Sequence, residues 1–422
     1  MKNKSRPSKT KFFLRKDNTS PGKNYKYFIL ALGCLSAMIV MAIPNTSLSI
    51  LMPDISDELD LSIAQVGVIW GIGSFPAMFS GLFAGALGDK LGLKWMAIIA
   101  CLLIGVVRIL QGFASGFIAL TLTIILTGLI SPFLLINMIN VLALWFPEDE
   151  RSTATGLFSA GMAVGFLIGS MLSGTVLAPW LGGWRNVFIF YGILSNLLII
   201  PWVLSRPHSP LEAEIKSEET SDSKSIFTGL LHVIKIPEIW YIGLAGLFIS
   251  GSIYALLGYL PLHLEGLGWE ETIADGAVSL IYLIGLIAVL PLSSWAERAG
   301  KQNLIMIILT CIAITSFIFF SFARGFFIWI AIILLGLVRN AYMSITTAVM
   351  LKSKRLNFNY LGSASSFRMI LLYIGYLFAP MIGNKLAETS PNTPFLFWAI
   401  FACIGIVFLF LIPSIKPNSD AN

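Results

Sequence analysis

Apolar residues gather along this chain in twelve long uncharged runs separated by short polar turns. A hydrocarbon core about 30 Å thick needs roughly 20 apolar helical residues to cross it. Runs of that size cover residues 27–51, 63–87, 95–113, 117–145, 153–177 and 186–204, then 239–262, 276–294, 303–323, 325–350, 359–384 and 394–413. The pattern predicts an all-α membrane protein with twelve transmembrane helices. The first run follows a basic segment, as a signal peptide would, but it is too long for such an apolar region and has no persuasive cleavage site, so it is expected to stay as a span. The longest polar interruption, residues 206–235, contains EAEIKSEETSDSKSIF and divides the chain into six spans plus six. A stretch so rich in Ser, Glu and Lys cannot bury enough apolar surface to form a core, and a linker is expected there.

Composition sharpens the class. Of 422 residues, 56% are hydrophobic and 12% charged, which excludes a water-soluble, secreted or nucleic-acid-binding protein. The net charge of +6 matters through its placement. If the spans alternate from a cytoplasmic N-terminus, only Arg185, Arg324 and Lys385 fall on the outer side, three arginines lie within spans, and the other 22 of 28 Lys and Arg are inside. Both termini are therefore expected to be cytoplasmic in a multi-pass cell-membrane protein. The outer loops, read this way, are acidic, with Asp54, Asp57, Glu58, Asp60, Glu265, Glu270, Glu271 and Asp275. Cys34, Cys101, Cys311 and Cys403 stand singly in apolar runs, which suggests free, buried thiols.

An internal repeat relates the halves. Gly85-Ala86-Leu87-Gly88-Asp89-Lys90-Leu91-Gly92-Leu93-Lys94 follows the second span, and Ser293-Ser294-Trp295-Ala296-Glu297-Arg298-Ala299-Gly300-Lys301-Gln302 follows the eighth. Asp89 matches Glu297, Lys90 matches Arg298 and Gly92 matches Gly300, at an offset of 208 residues. With these residues the chain resembles the major facilitator superfamily, whose signature loop reads G-x-L-A/G-D-R/K-x-G-R/K-R/K, and the resemblance covers nearly the whole chain. It implies two pseudo-symmetric six-helix bundles around a central cavity. The expected organisation is a basic cytoplasmic tail (1–25), an N-terminal bundle (26–205), a cytoplasmic linker (206–235), a C-terminal bundle (236–413) and a second tail (414–422). The resemblance also implies a cytoplasmic latch, with Asp89 against the start of the eleventh helix near Gly362 and Ser363, and Glu297 likewise near Arg151. A carboxylate at a helix start gains from the macrodipole and unpaired N–H groups.

Further pieces resemble the family: Trp145-Phe146-Pro147-Glu148 with Arg151, and Gly183-Trp184-Arg185 with Phe188. Others depart from it. Leu93 replaces a basic residue of the signature, Ile124 occupies the place of an arginine in the fourth helix, Phe166 stands where the antiporter motif has proline, and the first helix reads Pro44-Asn45-Thr46-Ser47 without a carboxylate. These departures weaken a multidrug antiporter reading. Gly161, Gly165 and Gly169 form a small-residue face suited to close helix packing.

Charge inside the bilayer is costly and usually functional. Three such residues are expected, all arginine: Arg108, Arg339 and Arg368. Arg339 and Arg368 approach mid-membrane without carboxylate partners, while Arg108 lies nearer the outer end of its span, where packing or snorkelling suffices. Guanidinium binds carboxylate, sulfate or phosphate through two parallel hydrogen bonds, so an anionic substrate would complete the site. Tyr342, Met343 and Thr346 share a helical face with Arg339, and Ser365 with Arg368. Asn137, Asn140 and Asn45 are candidates on the opposite half. Interhelical hydrogen bonding is the competing role for all of them.

No phosphate loop of the G-x-x-x-x-G-K-[ST] type occurs, and His208, His232 and His263 are scattered, so neither ATP, a metal nor another cofactor is expected. His263 reads as an ordinary surface histidine, and with no carboxylate expected within the spans a conventional proton relay is missing. The expectation is a monomeric transporter, not an enzyme, that moves a small solute, an organic or inorganic anion, by alternating access. Efflux of drugs or amphipathic metabolites is the alternative.

Overall fold

In the computed structural model the described residues are 24–205, 226–353, 356 and 360–412; the side chains of Ala86, Asp89, Glu148, Ile226, Phe227 and Thr228 are not among them. The tails and most of the 206–235 linker lie outside these residues. Among those described, twelve helices are long and apolar enough to cross a membrane. They are α1 (Tyr25–Ile50), α2 (Ile63–Gly85), α3 (Leu93–Gly112), α4 (Phe117–Trp145), α5 (Asp149–Leu181), α6 (Trp184–Leu204), α7 (Pro237–Gly266), α8 (Glu271–Arg298), α9 (Gln302–Phe322), α10 (Phe327–Leu351), α11 (Leu361–Ala387) and α12 (Thr393–Leu411). The helix of α2 continues to Leu91. Twelve crossings return the chain to the side on which it began, here called the termini face; the opposite side is the distal face.

Packing partners repeat between the halves. In the first, α1 packs on α5, α2 on α4, and α3 on α4 and α6; in the second, α7 packs on α11, α8 on α10, and α9 on α10 and α12. The two signature turns repeat as well, because Gly92 and Gly300 both take positive φ, 86° and 64°, to reverse the chain between helices. A side chain there would be strained, which explains why glycine occupies both places. The Gly161, Gly165 and Gly169 face meets α1: a Cβ on Gly165 would stand 2.8 Å from Ala42 and Met38, and one on Gly169 2.2 Å from Thr46. Opposite these glycines α1 widens into a π-helical stretch, Ala37–Ala42, and α5 does so at Ser173–Leu177.

Local chemistry fixes the helix ends. Ser62 and Gln65 form a capping box that starts α2. The ammonium of Lys94 donates to the carbonyls of Val203 (2.7 Å) and Ser205 (2.5 Å), a cation on the last turn of α6. On the distal connector Met52–Glu58, the Glu58 carboxylate accepts from Arg185 Nε (2.8 Å) and Trp184 Nε1 (2.6 Å). Arg185 foremost, helped by Trp184, holds that carboxyl below the usual carboxylate range.

Several expectations change. α7 and α8 are longer than their uncharged runs, so Glu265, Glu271 and Asp275 belong to helices and not to distal loops, and Asp275 is 1% exposed. The second half therefore does contain a buried carboxylate. His263 is also buried, at 4%, between Tyr259 and Phe395. Of the cysteines only Cys101 is buried; Cys34 is half-buried against Gly161, and Cys311 and Cys403 are exposed on outward helix faces.

Candidate functional site

The halves meet closely toward the distal face. Ser49 on α1 donates to the Leu257 carbonyl on α7 at 2.5 Å. Gly67 and Gly71 on α2 press against α11, where added Cβ atoms would stand 2.6 Å from the carbonyl oxygens of Pro380 and Leu377 respectively. Gly174 on α5 lies against Asp275 of α8. On the termini half the situation reverses: Gly85, Gly156 and Gly362 have no foreign atom within 4 Å of where a Cβ would stand. The halves are thus in close contact on the distal side, while these three positions of the termini half are open.

Under the distal closure lies an aromatic layer. Trp70 of α2 stacks on Tyr254 of α7 at 5.0 Å, and Tyr254 stacks on Tyr376 of α11 at 4.4 Å. Trp70 and Tyr254 also exchange hydrogen bonds, Nε1 to the Tyr254 carbonyl (2.9 Å) and the phenol to the Trp70 carbonyl (3.1 Å), which tie the halves together. Tyr373 meets Tyr376 edge-on at 6.2 Å.

Arg368, the eighth residue of α11, lies on the termini side of Tyr376, and Arg339 stands midway along α10. The Arg339 guanidinium is 4.2 Å from the Tyr282 ring centre on its own half and 5.5 Å from Phe166 of α5 on the other; Phe166 and Tyr282 stack on each other. Its Nη1 donates to Asn340 Oδ1 at 2.7 Å. Arg368 is 7% exposed, its Nη2 reaches Thr347 Oγ1 only at 3.4 Å, and its Nε has no hydrogen-bond partner. Tyr376 lies within electrostatic reach of both guanidinium groups. Among the described residues neither arginine has a carboxylate partner, and no group of His, Cys, Asp and Glu is arranged to hold a metal. Chemically the arrangement offers two positive charges, free N–H donors and flat aromatic walls.

The profile of the Major Facilitator Superfamily matches residues 34–372. The chain belongs to that superfamily. Among its relatives, a probable sulfoacetate transporter, SauU, of Cupriavidus necator is 26% identical over 57% of this chain and 57% of its own, so the match spans little more than half its length. The hexuronate transporter of Bacillus subtilis is 23% identical over 59% and 58%. Multidrug resistance protein 1 of the same organism is 25% identical over 84% and 88%. Among solved structures, a bacterial homologue of the human lysosomal transporter Spinster superposes with a TM-score of 0.77 at 16% identity, over 93% of this chain and 98% of that one, a likeness of fold.

For this superfamily member the residues singled out in the sequence separate into groups. Arg339 and Arg368 share one region. Tyr342 of α10 is 1% exposed and packed in the core, and its phenol oxygen has no partner. Asn137 turns away from the space between the halves: it is fully buried and donates to the carbonyls of Phe133 (2.6 Å) and Ala84 (3.4 Å), with its Oδ1 where a Cβ on Gly88 would go. It fastens α4 to α2 because Gly88 leaves room for an amide. Asn45 and Asn140 are half-buried. Arg108 is enclosed between α3 and α6, bonded to Gln111 at 2.8 Å and 5.9 Å from the Phe188 ring, far from the arginine pair in the packing scheme.

At the termini face Glu297 pairs with Lys352 (2.8 Å) and Arg151 donates to the Phe146 carbonyl (3.1 Å), so the structure does not bring Glu297 to Arg151. Lys90, Arg298 and Gly300 are exposed, Gly85 and Gly92 face open space, and the Asp89 side chain lies outside the described residues. Sequence reasoning missed Trp70, Tyr254, Tyr282, Tyr376 and Phe166. One signal was available, since Tyr376 follows Arg368 by eight residues and so shares its helical face.

Proposed function

We propose that this transporter carries a small organic anion by alternating access, with Arg339 and Arg368 holding its carboxylate or sulfonate and the aromatic residues around them flanking the rest. The observation that carries the reading is Arg368, a deeply buried guanidinium with an unpartnered Nε and no carboxylate beside it. Such a charge is costly unless something neutralises it. Support comes from distant relatives whose names include sulfoacetate, hexuronate and galactarate/D-glucarate transport. In this reading the termini face is cytoplasmic, as the distribution of Lys and Arg favours, and the turns at Asp89 and Glu297 engage as a latch when that face closes.

The test is thermal unfolding of purified full-length protein with sulfoacetate, glucuronate and D-glucarate. At 100 times Kd a ligand adds about 2.7 kcal/mol. At least one anion is expected to raise the unfolding temperature of the wild type and not of Arg368→Gln. A second reading, efflux of amphipathic compounds, is favoured by the length of the match to Multidrug resistance protein 1. Stabilisation by tetraphenylphosphonium, with none by any anion, would replace the first reading with the second.

A further inference from the structure

Where α5 meets α8 near the distal face, the Asp275 carboxyl is pressed against bare backbone of the opposite half. A Cβ on Gly174 would stand 2.3 Å from Asp275 Oδ2, 3.0 Å from Ile50 and 3.2 Å from Glu271 Oε1, so no water fits between. Gly174 belongs to the π-helical stretch of α5, a widened turn of the kind that recurs at functional positions. Asp275 is 1% exposed and neither of its oxygens has a hydrogen-bond partner. An ionised carboxylate in that position has nothing to solvate it and is strongly disfavoured.

The charged groups around it are of the wrong sign to help. Glu271 lies one turn away on α8, Glu265 on α7 has a buried unpartnered Oε1, and Asp54 on the connector adds a third negative charge. The Asp54 carboxyl is itself raised above the usual carboxylate range, by partial burial and then by Asp57 and Glu58. From α5 no ionisable side chain faces the seam, because none occurs from residue 152 to 181, and α1 has none from 35 to 50. On α10 the cation is Arg339, engaged over Tyr282, seven residues or about 10 Å further along α8. On α7, buried His263 packs among Tyr259 and Phe395. At the distal end of α11, Lys385 is bonded to Glu388 at 2.6 Å.

We infer that Asp275 is a proton-binding catch on the distal gate: the α5–α8 seam closes over the neutral acid, and opening the seam to water lets the proton leave. The ligand taken is a proton, which neutralises the carboxylate without further ligands; among the described residues no group of His, Cys, Asp and Glu is arranged to hold a metal ion. The sign follows from linkage. The closed state binds one proton more than the open state, so low pH favours closure and rising pH favours opening, by at most tenfold in the closed-to-open ratio per pH unit for one site. The buried acid escaped the sequence reading because it lies beyond the uncharged run of α8. The catch does not depend on which solute is carried.

Spin labels at Trp180→Cys and Phe326→Cys, exposed at the distal ends of α5 and α10, in full-length protein with its four native cysteines replaced, report the gate by their separation without any added anion. Between pH 5 and pH 8 the wild type is expected to pass from a single short separation to a mixture with a longer one. Asp275→Asn is expected to keep the short separation throughout. Glu271→Gln removes a neighbouring negative charge and is expected to move the transition to lower pH. The inference is overturned if the wild type shows no pH dependence, if Asp275→Asn follows the wild-type curve, or if sodium at constant pH, with choline as control, moves the gate in place of protons. Because no anion is present, failure here leaves the arginine site untouched, and failure of anion binding leaves the catch untouched.

Discussion

At Arg339 the guanidinium lies 4.2 Å from the Tyr282 ring and donates to Asn340, an arrangement that uses its flat shape as well as its charge. Lysine would keep the charge but lose the plane and the forked donors, a loss of about 1–2 kcal/mol. Arg339→Lys is therefore expected to weaken anion binding about five- to thirty-fold, nearly as much as Arg339→Gln, in the same unfolding assay. A Lys variant that binds as the wild type does would reduce the role of Arg339 to simple attraction. Both arginines were readable in the sequence because a charge within an apolar run is conspicuous. Their aromatic surroundings were not, because a Tyr or Trp on a spanning helix looks the same whether it faces lipid, a neighbour or a cavity. Asn137 shows the reverse ambiguity: its position at mid-span suggested substrate contact, but the missing side chain of Gly88 drew its amide to α2.

Among elements, the number and order of the spans followed from apolar runs, and their true lengths did not. Hydropathy ends a span at the first charge, yet α8 continues through Asp275 and Glu271 because one carboxylate does not break a helix and α5 covers it. Close contact between α2 and α11 sets the distal closure, and the turn after α2 belongs to the opposite end, so substitutions at the two ends should act in opposite directions. A methyl group at Gly71 would stand 2.6 Å from a backbone oxygen, which cannot yield as a side chain can. Gly71→Ala should cost the distal closure about 1–3 kcal/mol. Asp89→Asn removes a carboxylate expected to pair in the state closed at the termini face, and should favour the conformation open there. Labelling of single cysteines at each face by an impermeant reagent reads both: faster distal labelling for Gly71→Ala, faster labelling at the termini face for Asp89→Asn. Unchanged rates in either variant would remove that contact from the switching mechanism.

For the whole molecule, duplication explains why the architecture was accessible from one sequence: the offset of 208 residues between the signature turns is echoed by paired helices and by matching positive-φ glycines. The conformation was not accessible, because one sequence encodes every state of the cycle. Two guanidinium charges stand within the spanning helices with no carboxylate partner among the described residues, so an unloaded carrier is itself an electrical element. A charge that crosses the full field changes energy by about 2.3 kcal/mol per 100 mV, and even part of that, felt as the halves rock, makes return of the empty carrier sensitive to voltage. A bound dianion cancels both charges and makes the loaded crossing nearly indifferent to voltage. In voltage-clamped membranes, transient currents should accompany the empty protein and shrink as a dianionic substrate saturates it; currents that ignore substrate would show that the arginines stay still in the field.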